Sequence, residues 1–298
     1  MPKTVKFYFV DVFADGPLRG NPVSLVCDSG DLDEKTMRAI AREFNQSETV
    51  FLLEPTLAGA TVRLRSFTPT GAEVFGAGHN ALGAWLWMAA SGKFPIADVT
   101  PALAQQIGDE VLPVEVTQRE GGPVVVSMLQ SAPWFGESVD DRRELAESLG
   151  LVEHDLVKEV PAQIVSTGAG HLLVPLTSRL AVDRAAPDAK RLTAVLEKVG
   201  GEGCYLYSRD PIEPSDAVAY TRFFNPIMGI SEDPATGTAA GPLVAMLVAA
   251  GHVADHATVI VEQGYALGRP SRIRVTVSGT RVQVSGSGVV VAEGKLFL

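Results

Sequence analysis

The sequence predicts an α+β protein made of two similar halves, each holding several strands, one outer helix and one helix enclosed on every side. Three observations carry that expectation. Residues 78–92 open with a glycine, run through an almost wholly apolar segment and close with a glycine, and residues 237–251 repeat the plan with both glycines displaced by 159 positions. The same displacement sets Glu73 against Glu232 and Arg63 against Arg222, extending the likeness into the strand and loop before each segment. At 298 residues the chain also exceeds the size at which one core is usual, so two domains are expected.

Taken in chain order, alternation and β-branched runs predict strands near 4–12, 22–27, 48–54, 59–67, 111–117, 123–129, 171–176, 217–224, 257–263, 271–277 and 281–292. A further strand-like run is Gly203-Cys204-Tyr205-Leu206-Tyr207. Helical patterns cover about 33–44, 78–91, 141–149, 188–199 and 238–250. Helices 33–44 and 188–199 each lead through a short polar or glycine-rich turn into a strand, so the outer helices look duplicated as well. Segments 78–91 and 238–250 are apolar all the way round, and such helices must be enclosed. Neither reaches the roughly 20 apolar residues that a membrane span needs. The turn at Gly121-Gly122 is the expected junction, giving an N-terminal half of residues 1–121, with the strand 288–298 returning to complete it, and a C-terminal half of residues 122–287.

Composition narrows the function classes. Hydrophobic residues make up 46% and charged residues 20%, the balance of an ordinary globular chain with no disordered tail. A formal charge of −10 and the lack of a basic patch argue against nucleic acid as a partner. The N-terminal apolar run meets a charge too soon to serve as a signal peptide, and the two cysteines, Cys27 and Cys204, lie within strand-like runs as buried thiols. A cytoplasmic location is the expectation. No phosphate-cradling glycine loop, dinucleotide fingerprint or acyl-transfer elbow is present, and His252-Val253-Ala254-Asp255-His256 lacks a third ligand on a helix, so no metal and no nucleotide cofactor is expected.

The chemistry concentrates at the starts of the two enclosed helices. A helix start offers unpaired backbone N–H groups and the positive end of the dipole, a seat for a carboxylate or oxyanion. At Ser231-Glu232-Asp233-Pro234-Ala235-Thr236-Gly237-Thr238, small residues leave room for a ligand to reach the backbone at Gly237, and Asp233 is close enough in sequence to share a proton with it; plain helix capping is the competing reading of the same residues. The first helix start, Phe75-Gly76-Ala77-Gly78-His79-Asn80, carries a histidine where the second has Thr238. His79 could donate a hydrogen bond or shuttle a proton to a ligand, the competing reading being a core histidine that is simply hydrogen-bonded. Glu48 opens an apolar strand beside Phe44, Val50 and Phe51, where desolvation would raise its pKa toward the range of proton transfer; an exposed glutamate at a strand start is the competing reading.

Five segments, in order, resemble the phenazine biosynthesis PhzF-like family, relatives of diaminopimelate epimerase. They are Asp11-Val12-Phe13 with Pro17-Leu18-Arg19-Gly20-Asn21-Pro22; Asn45-Gln46-Ser47-Glu48-Thr49-Val50-Phe51; Thr68-Pro69 with Glu73 and Gly78-His79; Ser166-Thr167-Gly168; and Glu232-Asp233-Pro234-Ala235-Thr236-Gly237-Thr238-Ala239-Ala240-Gly241-Pro242. The resemblance implies two domains, each a mixed, mostly antiparallel sheet curled around a central buried helix, with the active site in the cleft between them. It also implies a cofactor-free isomerase and a homodimer. Carried over position by position, Glu48 is the general acid/base, with His79, Asp233 and Thr238 as the other catalytic groups. Asn21, Ser47, Gly78, Asn80 and Gly237 are the expected substrate-binding residues. The family usually has serine where Thr238 stands, and Asn80 is atypical. Related epimerases and racemases use two thiols, and the matching positions here are Ala77 and Thr236, so two-thiol stereoinversion is disfavoured.

The function expected is an isomerase that moves a proton between carbons of a small unsaturated carboxylate through Glu48. A non-thiol epimerase or racemase of an amino or imino acid, and a non-catalytic small-anion-binding protein, are the alternatives.

Overall fold

The computed structural model describes residues 3–94, 96 and 102–298. Its elements run β1 (Thr4–Val12), β2 (Asn21–Val26), α1 (Glu34–Phe44), β3 (Thr49–Leu53), β4 (Val62–Phe67), β5 (Glu73–Val74), α2 (His79–Ala90), β6 (Leu103–Ile107), β7 (Glu110–Gln118) and β8 (Val124–Gln130). The chain continues through β9 (Trp134–Ser138), α3 (Arg142–Ser148), β10 (Gln163–Ser166), β11 (Gly170–Pro175), α4 (Arg179–Arg184), α5 (Ala189–Val199), β12 (Gly203–Ser208), β13 (Ala217–Asn225), β14 (Ile230–Asp233) and α6 (Gly237–Ala249). It closes with β15 (Thr258–Gln263), β16 (Ser271–Ser278), β17 (Arg281–Gly286) and β18 (Gly288–Phe297). Among the described residues no helix is long and apolar enough to cross a membrane.

The chain divides into two compact units, one of residues 1–129 and 285–298 and the other of residues 130–284. The Gly121-Gly122 turn does not fall at that division. It closes the β7–β8 hairpin, in which Gln118 pairs with Val124 and Val114 with Met128, so the chain leaves the first unit only after β8. The apolar run 281–292 is likewise two strands, β17 and β18, broken at Ser287, and β18 pairs antiparallel with β1 from Thr4↔Phe297 to Val12↔Gly288.

Each unit follows one plan. In the first, β18, β1 and β2 pair antiparallel, β2 joins β3 in parallel, β3 and β4 are antiparallel, β4 joins β6 in parallel, and β6, β7 and β8 finish antiparallel. Parallel neighbours need a crossover, and α1 and α2 supply the two. In the second, β9, β10 and β11 are antiparallel, β11 joins β12 in parallel across α4 and α5, β12 and β13 are antiparallel, β13 joins β15 in parallel across α6, and β15 and β16 finish antiparallel. Each sheet curls around its own inner helix, which is the diaminopimelate epimerase-like fold.

The helices differ by position as their sequences dictate. The outer pair is amphipathic and capped at both ends. Asp33 accepts from Thr36 N at 2.8 Å to start α1, and Asn45 ends it in a left-handed conformation (φ 51°); Asp188 accepts from Arg191 N at 2.9 Å to start α5, and Gly200 ends it at φ 69°. The inner pair is apolar beyond its first turn: every residue of α2 from His79 to Ala89 is buried, with the Trp85 indole N–H satisfied by Gln105 Oε1 at 2.8 Å. Gly83 lets α2 lie directly against the sheet, because a Cβ there would run into Val23 and Val12.

Side-chain detail reveals the duplication and corrects one of its pairings. Arg65 donates from Nε and Nη2 to both oxygens of Glu73, each at 2.7 Å, and Arg222 does the same to Glu232 at 2.9 and 2.8 Å. Each guanidinium also lies over the phenylalanine two residues on, Arg65 over Phe67 at 5.0 Å and Arg222 over Phe224 at 4.9 Å. The counterpart of Arg222 is therefore Arg65, not Arg63. The separation from arginine to glutamate is 8 residues in the first unit and 10 in the second, where the turn Pro226–Met228 intervenes, and a fixed displacement cannot cross that insertion.

Arg222 additionally donates to the carbonyls of Val182, Asp183 and Ala185 at the end of α4, and both it and Glu232 are only 10% exposed. Arg222→Leu is expected to destabilise the protein by about 3–5 kcal/mol, because it strands a buried carboxylate. Urea unfolding measures this, and a loss below about 1 kcal/mol would show that the pair does not hold the loop before α6.

Several elements had no clear sequence signal. Strand β6 interrupts its apolar pattern with Gln105 and Gln106, both buried; Gln106 Oε1 accepts from Thr56 N at 2.7 Å and Leu57 N at 3.1 Å. Helix α4 has six residues, too few for a period to show, and β5, β9, β10 and β14 are short or exposed.

Candidate active site

In the first unit, the left-handed turn at Asn45 ends α1 and sends Gln46-Ser47-Glu48 toward the start of α2. The Glu48 carbonyl accepts from Ser24 N at 3.3 Å, which ties the segment to β2 just before β3 begins. The Glu48 side chain is 19% exposed, neither sealed in the apolar core nor loose in solvent. Its Oε2 lies 3.8 Å from His79 Nδ1, and Ser47 Oγ lies 3.2 Å from His79 Nε2. The first distance is too long for a direct hydrogen bond and the second is within range of one. His79 is 9% exposed, and burial alone pulls its pKa down to about 4, so the ring is neutral at physiological pH.

The loop before His79 is held by Asn80. Its Oδ1 accepts from Gly78 N at 2.8 Å, and its Nδ2 donates to Ser66 Oγ and Gly76 O, each at 3.1 Å. Asn80 is buried, and these bonds shape the turn; the Gly78 N–H is engaged by the same side chain. Asn21 is fully buried at the start of β2, opposite Val12, below a loop that Asp11 fastens by accepting from Leu18 N at 2.7 Å. Of the first unit's expected residues, Ser47, Glu48 and His79 come together, whereas Asn21 and Asn80 are enclosed in the framework.

In the second unit, Asp233 ends β14 and Thr236 and Gly237 open α6. Thr236 Oγ1 donates to Asp233 Oδ2 at 2.5 Å. Gln263 fixes both, since its Nε2 donates to Asp233 O at 2.7 Å and Thr236 Oγ1 at 3.0 Å, while its Oε1 accepts from Thr236 N at 3.1 Å and Tyr205 Oη at 3.0 Å. The Gly237 carbonyl accepts from Gln130 Nε2 at 3.0 Å. Thr238 Oγ1 lies 3.2 Å from His171 Nε2. Gln263, Tyr205 and His171 are buried polar groups that the sequence did not single out. They sit on strands in positions that alternation assigns to the core.

The start of each inner helix lacks a capping side chain, at Gly78 for α2 and at Thr236 for α6, whereas α1, α3, α4 and α5 are each capped by an aspartate or serine. Uncapped starts keep N–H groups and dipole available to an anion. The thiols offer no competing chemistry: Cys27 and Cys204 are buried, and burial pushes both upward, Cys27 to about 12. Likewise, the hydroxyl at one thiol-equivalent position, Thr236, is committed to Asp233.

Register also shows which half holds the acid. Phe51 pairs with Arg65 and Leu206 with Arg222, so the counterpart of Glu48 is Gly203. A Cβ there would collide with the Phe223 ring and crowd His171 Nδ1. The second unit therefore has a glycine, a phenylalanine and a histidine where the first has its glutamate.

The fold is thus epimerase-like, with a half-buried glutamate at the inner-helix start of the first unit and an aspartate–threonine pair at that of the second. The chain belongs to the phenazine biosynthesis-like protein family PhzC-PhzF, whose family model matches residues 10–294. It is 33% identical over 302 residues to the trans-2,3-dihydro-3-hydroxyanthranilate isomerase of Pseudomonas chlororaphis, covering 98% of this chain and 99% of the relative. It superposes on the crystal structure of a Bacillus anthracis PhzF-family phenazine biosynthesis protein with a TM-score of 0.90 at 28% identity, over 99% of this chain and 100% of the other. A hydroxyproline epimerase from Agrobacterium vitis shares the fold alone, with a TM-score of 0.66 at 12% identity over 98% of this chain and 91% of the other.

Proposed function

We propose that this isomerase moves a proton between two carbons of a small, cyclic, unsaturated carboxylate, with Glu48 as the single acid/base and without a cofactor. The observation that carries the reading is the cluster of Glu48, His79 and Ser47 at an uncapped helix start, with His79 held neutral. A neutral imidazole offers a hydrogen bond without a fixed positive charge, so a proton can leave Glu48 and return without working against a cation. The Glu48 carboxylate takes a proton from a saturated carbon, the electron pair shifts into the conjugated system as the double bond moves, and the same proton is delivered to the far carbon. No atom is gained or lost. The substrate carboxylate is expected at an uncapped helix start.

The substrate named for the Pseudomonas relative is the first compound to offer. Incubation of trans-2,3-dihydro-3-hydroxyanthranilate in heavy water, followed by ultraviolet absorption and proton NMR, is expected to show the double bond relocated, with deuterium at the receiving carbon in the fraction of turnovers where Glu48 exchanges first. Exchange and inversion at a stereocentre with the double bond unmoved would replace this reading with the epimerase. Absence of any change in this compound and in a panel of related unsaturated carboxylates would leave only an anion-binding protein.

A further inference from the structure

The two units carry the same pair of groups in exchanged positions. In the first, the imidazole of His79 is on the inner helix and the hydroxyl of Ser47 comes from the segment before a strand. In the second, the hydroxyl of Thr238 is on the inner helix and the imidazole of His171 comes from strand β11. Both separations are 3.2 Å, from Nε2 to Oγ or Oγ1. The rings differ in their other nitrogen. His79 Nδ1 faces the Glu48 carboxylate at 3.8 Å, whereas His171 Nδ1, on a residue only 4% exposed and set edge-on to Phe223, has no hydrogen-bond partner among the described residues.

That difference fixes a tautomer. Burial holds His171 neutral, so one nitrogen carries a hydrogen and the other a lone pair. A hydrogen on Nδ1 would be a buried donor with no acceptor, among the rarest features of native interiors, whereas a single acceptor without a donor is tolerated. The hydrogen therefore sits on Nε2 and points at Thr238 Oγ1. An oxygen that accepts there can use its own hydrogen elsewhere.

We propose that His171 is a positioning residue: by donating from Nε2 to Thr238 Oγ1 it turns the Thr238 hydroxyl outward as a committed donor to an oxyanion at the uncapped start of α6. The inference rests on the anion-binding part of the proposed function and adds its polarity, a fixed donor in the second unit against a two-sided imidazole in the first. The strand counterpart of Glu48 is Gly203, which pairs in register with His171, and the space a side chain would take there is filled by the Phe223 ring, with His171 Nδ1 beside it.

Nitrogen-15 NMR of the full chain, with His171 assigned by loss of its signals in His171→Gln, reads the tautomer directly. The proton is expected on Nε2, and a proton on Nδ1 overturns the proposal. Binding of anthranilate, a stable planar amino carboxylate, then reads the consequence, with anthranilamide as the uncharged control. His171→Leu and Thr238→Val are each expected to weaken anthranilate about tenfold or more, the double variant no further than Thr238→Val alone, and His171→Gln, whose amide nitrogen replaces Nε2, to recover most of the loss. Weakening in Thr238→Val but not in His171→Leu would overturn the positioning role and leave the anion site standing. Equal affinity for anthranilate and anthranilamide, or no effect of either variant, would overturn the anion site itself.

Discussion

Glu48→Gln is expected to lower kcat by about 10²–10⁴-fold while the protein stays folded. Glutamine keeps the shape of the side chain and can still hydrogen bond, but its amide is neither an effective acid nor an effective base near neutral pH, so both halves of the transfer fail together. Stability should change little, within about 0.5 kcal/mol, because the side chain is 19% exposed and its removal strands no sealed charge. Turnover and thermal unfolding of the same preparation check both parts. Activity near that of the unaltered enzyme, in a folded variant, would transfer the acid/base role to another group, Asp233 being the first to try.

Acid is expected to unfold the protein by way of its two sealed imidazoles. His79 and His171 have folded-state pKa values near 4, both lowered by burial, against 6.5 in the unfolded chain. Between those limits the unfolded state binds more protons than the folded one, so stability rises with pH across the window and falls as pH is lowered through it. Nothing is lost above about pH 7. Each histidine removes about 3 kcal/mol by pH 4, and the two together about 6 kcal/mol, a large part of the stability of an ordinary domain. Urea titrations from pH 7.5 to 4 should show this slope, and a His79→Gln/His171→Gln double variant should flatten it. An equal slope in the double variant would assign the acid sensitivity to carboxylates instead.

The pattern of the fold was legible wherever burial is periodic. The enclosed helices 79–90 and 237–249 and the outer helices 34–44 and 189–199 lie within about a residue of their sequence-derived ranges, because an all-apolar run or an amphipathic run with an aspartate cap has few other ways to satisfy its backbone and its surface. Failures came where the interior holds polar side chains, as with Gln105 and Gln106 in β6, or where an element is too short for any period, as with α4. The division of the two units after Leu129, rather than at the Gly121-Gly122 hairpin, was not legible, because a hairpin turn and a domain boundary use the same residues locally.

The site divides along similar lines. Composition and spacing along the chain were enough to single out two sealed helices with open amino ends, a glutamate leading into an apolar strand, and the histidine, aspartate and threonine at those ends. Folding alone revealed that Ser47 meets His79 across 32 residues and His171 meets Thr238 across 67, that Arg65 rather than Arg63 mirrors Arg222, and that Asn21 and Asn80 are enclosed in the framework. The reason is physical: helix and strand periods act between residues a few positions apart, whereas hydrogen bonds between a strand and a distant helix depend on register and loop length, and a two-residue insertion moves every later partner without altering any local pattern.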